Sequence, residues 1–566
     1  MDDQIKRLIL AVAISFVFLF VWQSYFAPSP PTPEEETGPV VEEIVPADRE
    51  PDAGLLPPPE TGEVFPEEGP GALQESAEKQ VVVRTPLYTA VLTNRGGGIK
   101  SYRLMKFLED PREPESFVEM VRSPRAETLP LSAEFTAAGG PLGLQDALFV
   151  IEGRDMLIEE GQEASAGFRF RTEEGLEMVK TFTFSGDNYG IKTDVKILNR
   201  GPAPLNGRLS LVWEPGLEPL AEEKEGGPFG GGRYGYQGAL ALVGDKTRKI
   251  KPGKVDGTQD LEYLPQWIAT TDMYFTAAMI PVSGADGSLA RKQEDGRMGV
   301  ALTSQVRLLT GQASAMKALV YIGPKEMVSL RTVDETLRKT INLGFFGFIA
   351  QPLMDLLNFF YKYVKNYGLS IIILTILIKI FFIPFSTASH RSMKKMSRLN
   401  PQINALRERY KKDREKLNQE IMALYREHRV NPAGGCLPIL VQIPVFFALY
   451  RALLGAIELR HAPFFLWITD LSAKDPYYIT PIIMGGTMFL QQKMTPAAGD
   501  PRQQKIMLFM PIMFTALFLN FPAGLVIYWL VNNVLTIGHQ YYLNKRDDKS
   551  LPEPEPVKVK KGKGKK

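Results

Sequence analysis

Residues 367–385, YGLSIIILTILIKIFFIPF, are long and apolar enough to cross a bilayer as a helix, yet they carry a lysine, Lys379. A lysine inside such a segment costs roughly 2.5–3.5 kcal/mol on insertion scales, so it needs a role. It stands ~9 Å along the helix axis from Phe385, within reach of headgroups for a snorkelling side chain. Thr375 lies one turn earlier on the same face, which gives the helix a narrow polar stripe. The chemistry open to such a group is electrostatic. A positive charge facing a polar cavity inside the membrane would attract carboxylates.

Further polar groups sit in other apolar stretches. Gln442 falls in 436–456, and Tyr528, Trp529, Asn532, Asn533 and Thr536 fall in 522–543. Tyr528 and Asn532 share a helix face, as do Trp529 and Asn533. Lining a wet groove, these groups would be solvated; buried in lipid, they need partners on neighbouring helices. Met507, Met510 and Met513 lie among phenylalanines in 503–520. Methionine fills cores, and it also suits surfaces that accept varied apolar partners.

Other chemistries find little support. The single cysteine, Cys436, excludes disulfides within the chain and reads as a small buried residue. Four histidines (His390, His428, His461, His539) show no metal-ligand spacing, and residues 1–389 hold none. No Walker A sequence occurs, and the glycine-rich stretch 226–235 reads as a loop. The sequence thus calls for no metal, no cofactor and no catalytic residue. The reading is of a non-enzyme.

The elements that must position Lys379 are those of a membrane bundle with domains on both sides. An apolar run within residues 1–26, preceded by Lys6 and Arg7, reads as a retained N-terminal transmembrane anchor with its N-terminus inside. Residues 27–78 hold twelve prolines and fourteen acids against one base, which predicts a disordered linker. From 79 to 343, alternation and turns predict a soluble antiparallel β domain closed by a helix at about 325–342. In its first strands, 80–104 reads as two strands around a glycine turn, and a hairpin is expected around 186–188. Trp213 and Trp267 could stack on a ligand or pack the core.

Residues 344–366 carry Gln351, Asp355, Asn358 and Lys362 on one stripe, which suits an interfacial amphipathic helix. The transmembrane helix 367–386 follows. Residues 387–432 hold twelve bases and five acids and keep an apolar seam through Met393, Met396, Leu399, Ile403, Leu406, Tyr410, Leu417, Ile421 and Leu424. That spacing predicts a helical hairpin, with a kink at Pro401. Four further spans are expected within 433–543, and residues 544–566 form a basic tail. The basic hairpin and tail suit the inside, whereas the loop 457–476, with three acids and two bases, suits the outside. The expectation is six spans with both termini inside.

Several stretches are shared with a known family. NPAGGCLPILVQIPVFFALY, DPRQQKIMLFMPIMFTALFLNFPAGLVIYWLVNN and IKIFFIPFSTASHRSMKKMSRLNPQI closely resemble the YidC membrane protein insertases of the YidC/Oxa/Alb group, over about residues 345–543. NRGGGIKSYRL and LPQWIATTDMYFTAAMIP resemble the outer domain of the Gram-negative type more loosely.

The resemblance implies five of the six spans as a conserved core, a periplasmic β-supersandwich and a cytoplasmic hairpin, in the cell inner membrane with N- and C-termini cytoplasmic. It implies a hydrophilic groove, open to cytoplasm and lipid, whose single positive residue is Lys379; many Gram-negative members carry arginine there. Thr375, Gln442, Tyr528, Trp529 and Asn532 would line that groove. Ile443, Pro444, Met507 and Met510 would form the slide along which an apolar segment leaves. The implied partners are nascent membrane proteins, the Sec translocon (SecYEG, SecDF), the ribosome through the basic hairpin and tail, and membrane lipids, with no DNA. A secondary transporter of a small anionic solute is the alternative, although no paired repeats are seen.

Overall fold

The computed structural model describes residues 72–122, 129–214, 237–293, 296–411, 413–428, 430, 437–495 and 501–547. The expected N-terminal anchor, nearly all of the acidic linker, the loop 226–235, Cys436 and most of the basic tail lie outside the described residues.

Between Gln80 and Pro324 the chain is built from strands, which form sheets of nine, six and five among the described residues. The nine-stranded sheet is centred on Ala313–Pro324, which pairs antiparallel with Gly190–Asn199 on one side and Phe275–Ser283 on the other. Alternation dictates its faces. Along Leu176–Ser185, Met178, Lys180, Phe182 and Phe184 all point into the core, fully shielded from solvent. The six-stranded sheet is centred on Met298–Leu308 paired with Leu205–Trp213. One apolar cluster runs through these strands. Trp213 and Trp267 belong to it, both with no exposed surface, so they pack the core and present no ring to a ligand.

Two local expectations change. The stretch 80–104 forms three strands, Gln80–Arg84, Tyr88–Thr93 and the start of Gly98–Leu108. Thr85 makes the extra turn, since its hydroxyl accepts from the backbone N–H groups of Leu87 and Tyr88. The closing helix is split into α1 (Met327–Val333) and a 3-10 turn, Glu335–Thr340. Asp334 divides them because its carboxylate caps the second element, accepting from Thr336 N–H at 2.7 Å.

Beyond Pro324 the described residues are mainly helical. They form α2 (Gly347–Val364), α3 (Tyr367–Arg398), α4 (Asn400–Arg409), α5 (Arg414–Glu427), α6 (Leu437–Leu454), α7 (Ile479–Met494), α8 (Pro501–Phe518) and α9 (Ala523–Asp547). Among the described residues, α3 is the helix long and apolar enough to cross a membrane. It runs past Pro384 and takes in the first part of the expected hairpin arm. A proline there removes one hydrogen bond, and no cap follows it. The break comes at Leu399, and Pro401 sits in the first turn of α4, where its missing N–H costs nothing.

α9 packs against α3, α6 and α7, and α2 packs against α3 and α6. Close approach is bought with glycine: a Cβ at Gly485 would lie 2.0 Å from Thr515 Oγ1, and one at Gly368 would lie 2.0 Å from the Phe464 ring. Met396, Leu399, Ile403, Leu406, Ile421 and Leu424 form a separate cluster where α4 meets α5, joined by Met393, Tyr425 and Val430. Tyr410 and Leu417 of the expected seam are not in it. They stand next to the turn between α4 and α5.

Candidate functional site

Lys379 is half-buried on α3 and faces α9. Its ammonium donates to Thr536 Oγ1 at 2.6 Å. Thr536 in turn donates its hydroxyl proton to the Asn532 carbonyl of its own helix, also at 2.6 Å. The threonine is therefore oriented by its helix, and a lone pair is left for the lysine. An ammonium carries three donors, and among the described residues no carboxylate lies within ion-pair distance of it. The arrangement is a fixed positive charge with unfilled hydrogen-bonding capacity. It can hold an acidic or carbonyl group reversibly.

The other predicted site residues divide. Thr375 is buried, and its hydroxyl donates to the Ile371 carbonyl of its own helix at 2.6 Å, not to Lys379. Gln442 Nε2 donates to the hydroxyl of Tyr528 at 2.8 Å, and Tyr528 is buried. That pair ties α6 to α9. Trp529 lies in an aromatic cluster with Phe446, Phe514 and Phe518, its ring 4.8 Å from that of Phe446. Asn532 is half-buried one turn from Thr536 and supplies the carbonyl that orients it. Ile443 and Pro444 are half-buried on α6. Met507, Met510 and Met513 are exposed on α8 with Leu508, Phe509 and Ile512, forming a broad apolar face.

The structure adds residues that the sequence reading did not assign. His539, one turn beyond Thr536, stands 3.1 Å from Thr387 Oγ1 and 3.5 Å from Ser386 Oγ on α3. Asn533 Nδ2 reaches Thr487 Oγ1 at 3.3 Å, and Gln540 Nε2 reaches Thr495 Oγ1 at 3.4 Å, both toward α7. α9 thus bears two polar stripes, one facing α3 and one facing α7. The signal was present in the spacing of Asn532, Asn533, Thr536, His539 and Gln540, at steps of one, three, three and one.

Two family models cover this architecture. Residues 80–356 match the model of the YidC periplasmic domain, and residues 359–550 match that of the 60Kd inner membrane protein. The membrane protein insertase YidC of Syntrophus aciditrophicus is 41% identical over 557 residues, spanning 96% of this chain and 99% of the relative. The chain belongs to the YidC membrane protein insertases. The insertase YidC of Geotalea daltonii is 39% identical over 564 residues, spanning 97% of this chain and 99% of its own. Among solved structures, an active YidC insertase with its first transmembrane domain resolved aligns over 83% of this chain and 94% of its own, with 17% identity and a TM-score of 0.36. Membership makes this an inner-membrane insertase, with the strands between Gln80 and Pro324 as its periplasmic domain. Its substrates are nascent membrane proteins, and its surroundings are membrane lipids.

Proposed function

We propose that the contact between α3 and α9 is the polar wall of an intramembrane groove, in which Lys379 receives acidic parts of an incoming chain. The observation that carries this reading is the half-buried ammonium with a single hydroxyl partner and no carboxylate among the described residues. A segment crossing hydrocarbon leaves each unsolvated polar group several kcal/mol out of balance. A polar path part-way across shortens the dry stretch and lowers the barrier. The apolar part of the substrate slides along α6 and α8, past Ile443, Pro444, Met507 and Met510, and leaves into lipid. Its partition supplies the drive, so no covalent step and no cofactor are needed. The exposed apolar face of α8 supports this exit.

The same proposal places six spans in the membrane with both termini cytoplasmic. The α4–α5 pair then stands in the cytoplasm, and its basic charge suits the ribosome, while the Sec translocon is a second partner. The test is an insertion assay in reconstituted vesicles with substrates bearing acidic or neutral outer tails. Lys379→Arg retains insertion of both, since the charge is kept. Lys379→Glu blocks the acidic-tailed substrate; its insertion at the wild-type rate would sink the groove's electrostatic role.

A further inference from the structure

The loop between α6 and α7 has an acidic balance that suits the outside, but its tip is apolar. It folds back on itself through backbone hydrogen bonds from Leu471 N–H to the Ala462 carbonyl and from Phe464 N–H to the Ile468 carbonyl, both 2.9 Å. Asp470 braces the base by accepting from His461 N–H at 3.1 Å, Ser472 N–H at 2.8 Å and Ser472 Oγ at 2.7 Å. What this rigid base presents is Phe465, 51% exposed, and Leu466, 85% exposed. Leu466 also holds a left-handed backbone (φ 56°), a conformation that leucine rarely adopts. A large apolar side chain fixed in that posture on a braced loop is held outward by the fold.

The position of the tip decides what covers it. The Phe464 ring packs where Gly368 leaves room, and its carbonyl accepts from Asn366 Nδ2 at 3.3 Å. Asn366 caps the start of α3, the helix long enough to cross the bilayer. The loop therefore stands at the outer end of that helix, on the periplasmic side, since Arg460 at its base lies 3.7 Å from Glu109 of the periplasmic domain. α2 ends at the same place, carrying Phe359 (48% exposed) and Tyr363 (74% exposed). An apolar rim thus surrounds the point where α3 enters the membrane.

We propose that Phe465 and Leu466 form an apolar finger that inserts into the outer leaflet beside α3, with lipid acyl chains near the headgroups as its partner. A residue of this size at the interface gains by burial in hydrocarbon, whereas the polar base stays at the headgroups. The finger pins the outer end of α3, and with it the helix that carries Lys379, at a fixed depth.

The test uses the full chain with Cys436→Ser, reconstituted in phosphatidylcholine–phosphatidylglycerol vesicles and labelled with an environment-sensitive fluorophore at Leu466→Cys. Asp245→Cys, on a fully exposed side chain of the periplasmic domain, is the aqueous reference. The label at 466 should emit to the blue of the reference, be quenched several-fold more by lipids spin-labelled high on the acyl chain, and resist aqueous iodide. Phe465→Cys reports the same insertion if the label at 466 prevents folding. Iodide quenching at both positions equal to that at 245, with no quenching by spin-labelled lipid, would overturn the proposal.

Discussion

Lys180 and Lys379 are held in opposite ways. Lys180, in the β domain, has no exposed surface, and its ammonium donates to the carbonyls of Gly96 (3.2 Å), Gly97 (2.5 Å) and Leu131 (2.6 Å). Gly96 and Gly97 both have positive φ, which glycine accepts without cost and which turns their carbonyls onto the lysine. Every donor of that ammonium is filled. Lys379, in the helical region, has one hydroxyl partner. The difference teaches how to separate a structural charge from a working one. A saturated cation crosslinks the fold, whereas one with spare donors and, among the described residues, no counter-ion is free to take a ligand.

The comparison breaks most sharply if the two lysines exchange consequences. Lys379→Glu should abolish insertion of acidic-tailed substrates and leave unfolding of the β domain unchanged. Lys180→Met should do the reverse. It leaves three carbonyls without a donor, and although it also removes a buried charge it should destabilise the β domain by about 2–4 kcal/mol. Urea unfolding of the full chain, followed through the buried Trp213 and Trp267, measures this; a variant as stable as the wild type would mean that the carbonyl cage does not hold the sheets together.

Acidity gives a further handle on Lys180. Burial pushes its ammonium down to about 7 from the usual 10.5. Between those values the unfolded chain holds a proton that the folded chain has released, so stability rises as pH climbs from about 7 to 10.5, falls by the same amount as pH returns to about 7, and owes no further change to this lysine below that. Lys180→Met should flatten that slope. An unchanged pH profile would mean that other groups set it.

Much of this was legible in the sequence, for reasons that differ by residue. Lys180 went unassigned in the sequence, although the alternation in MVKTFTF puts it on the same face as Met178, Phe182 and Phe184. Lys379 stood out because a charge in an apolar helix has few innocent explanations. Its partner Thr536 did not, because periodicity gives the face of one helix and is silent on which helix lies opposite. Gln442 and Tyr528, read as groove lining, satisfy each other for the same reason. The count of acids and bases in 457–476 concealed the apolar tip, since an average over twenty residues cannot show that the charges gather at the base.

The smallest expected effect is the finest test of the contrast between a filled and an unfilled cation. Thr536→Val keeps the β-branched shape on α9 and removes the oxygen that Lys379 contacts, so the charge stays while its position is released. Loss of one such hydrogen bond is worth about 1 kcal/mol, or roughly a fivefold change in rate. Insertion of an acidic-tailed substrate should fall by about that factor. A neutral-tailed substrate should insert as before, because it does not use the charge. Thr536→Ser, which retains the hydroxyl, should restore the acidic-tailed substrate. The split between substrates is the decisive readout. If Thr536→Val slows both tails equally, the threonine merely packs α9 against α3, and the hydrogen bond to Lys379 is no more than an interhelical tie, like that between Gln442 and Tyr528.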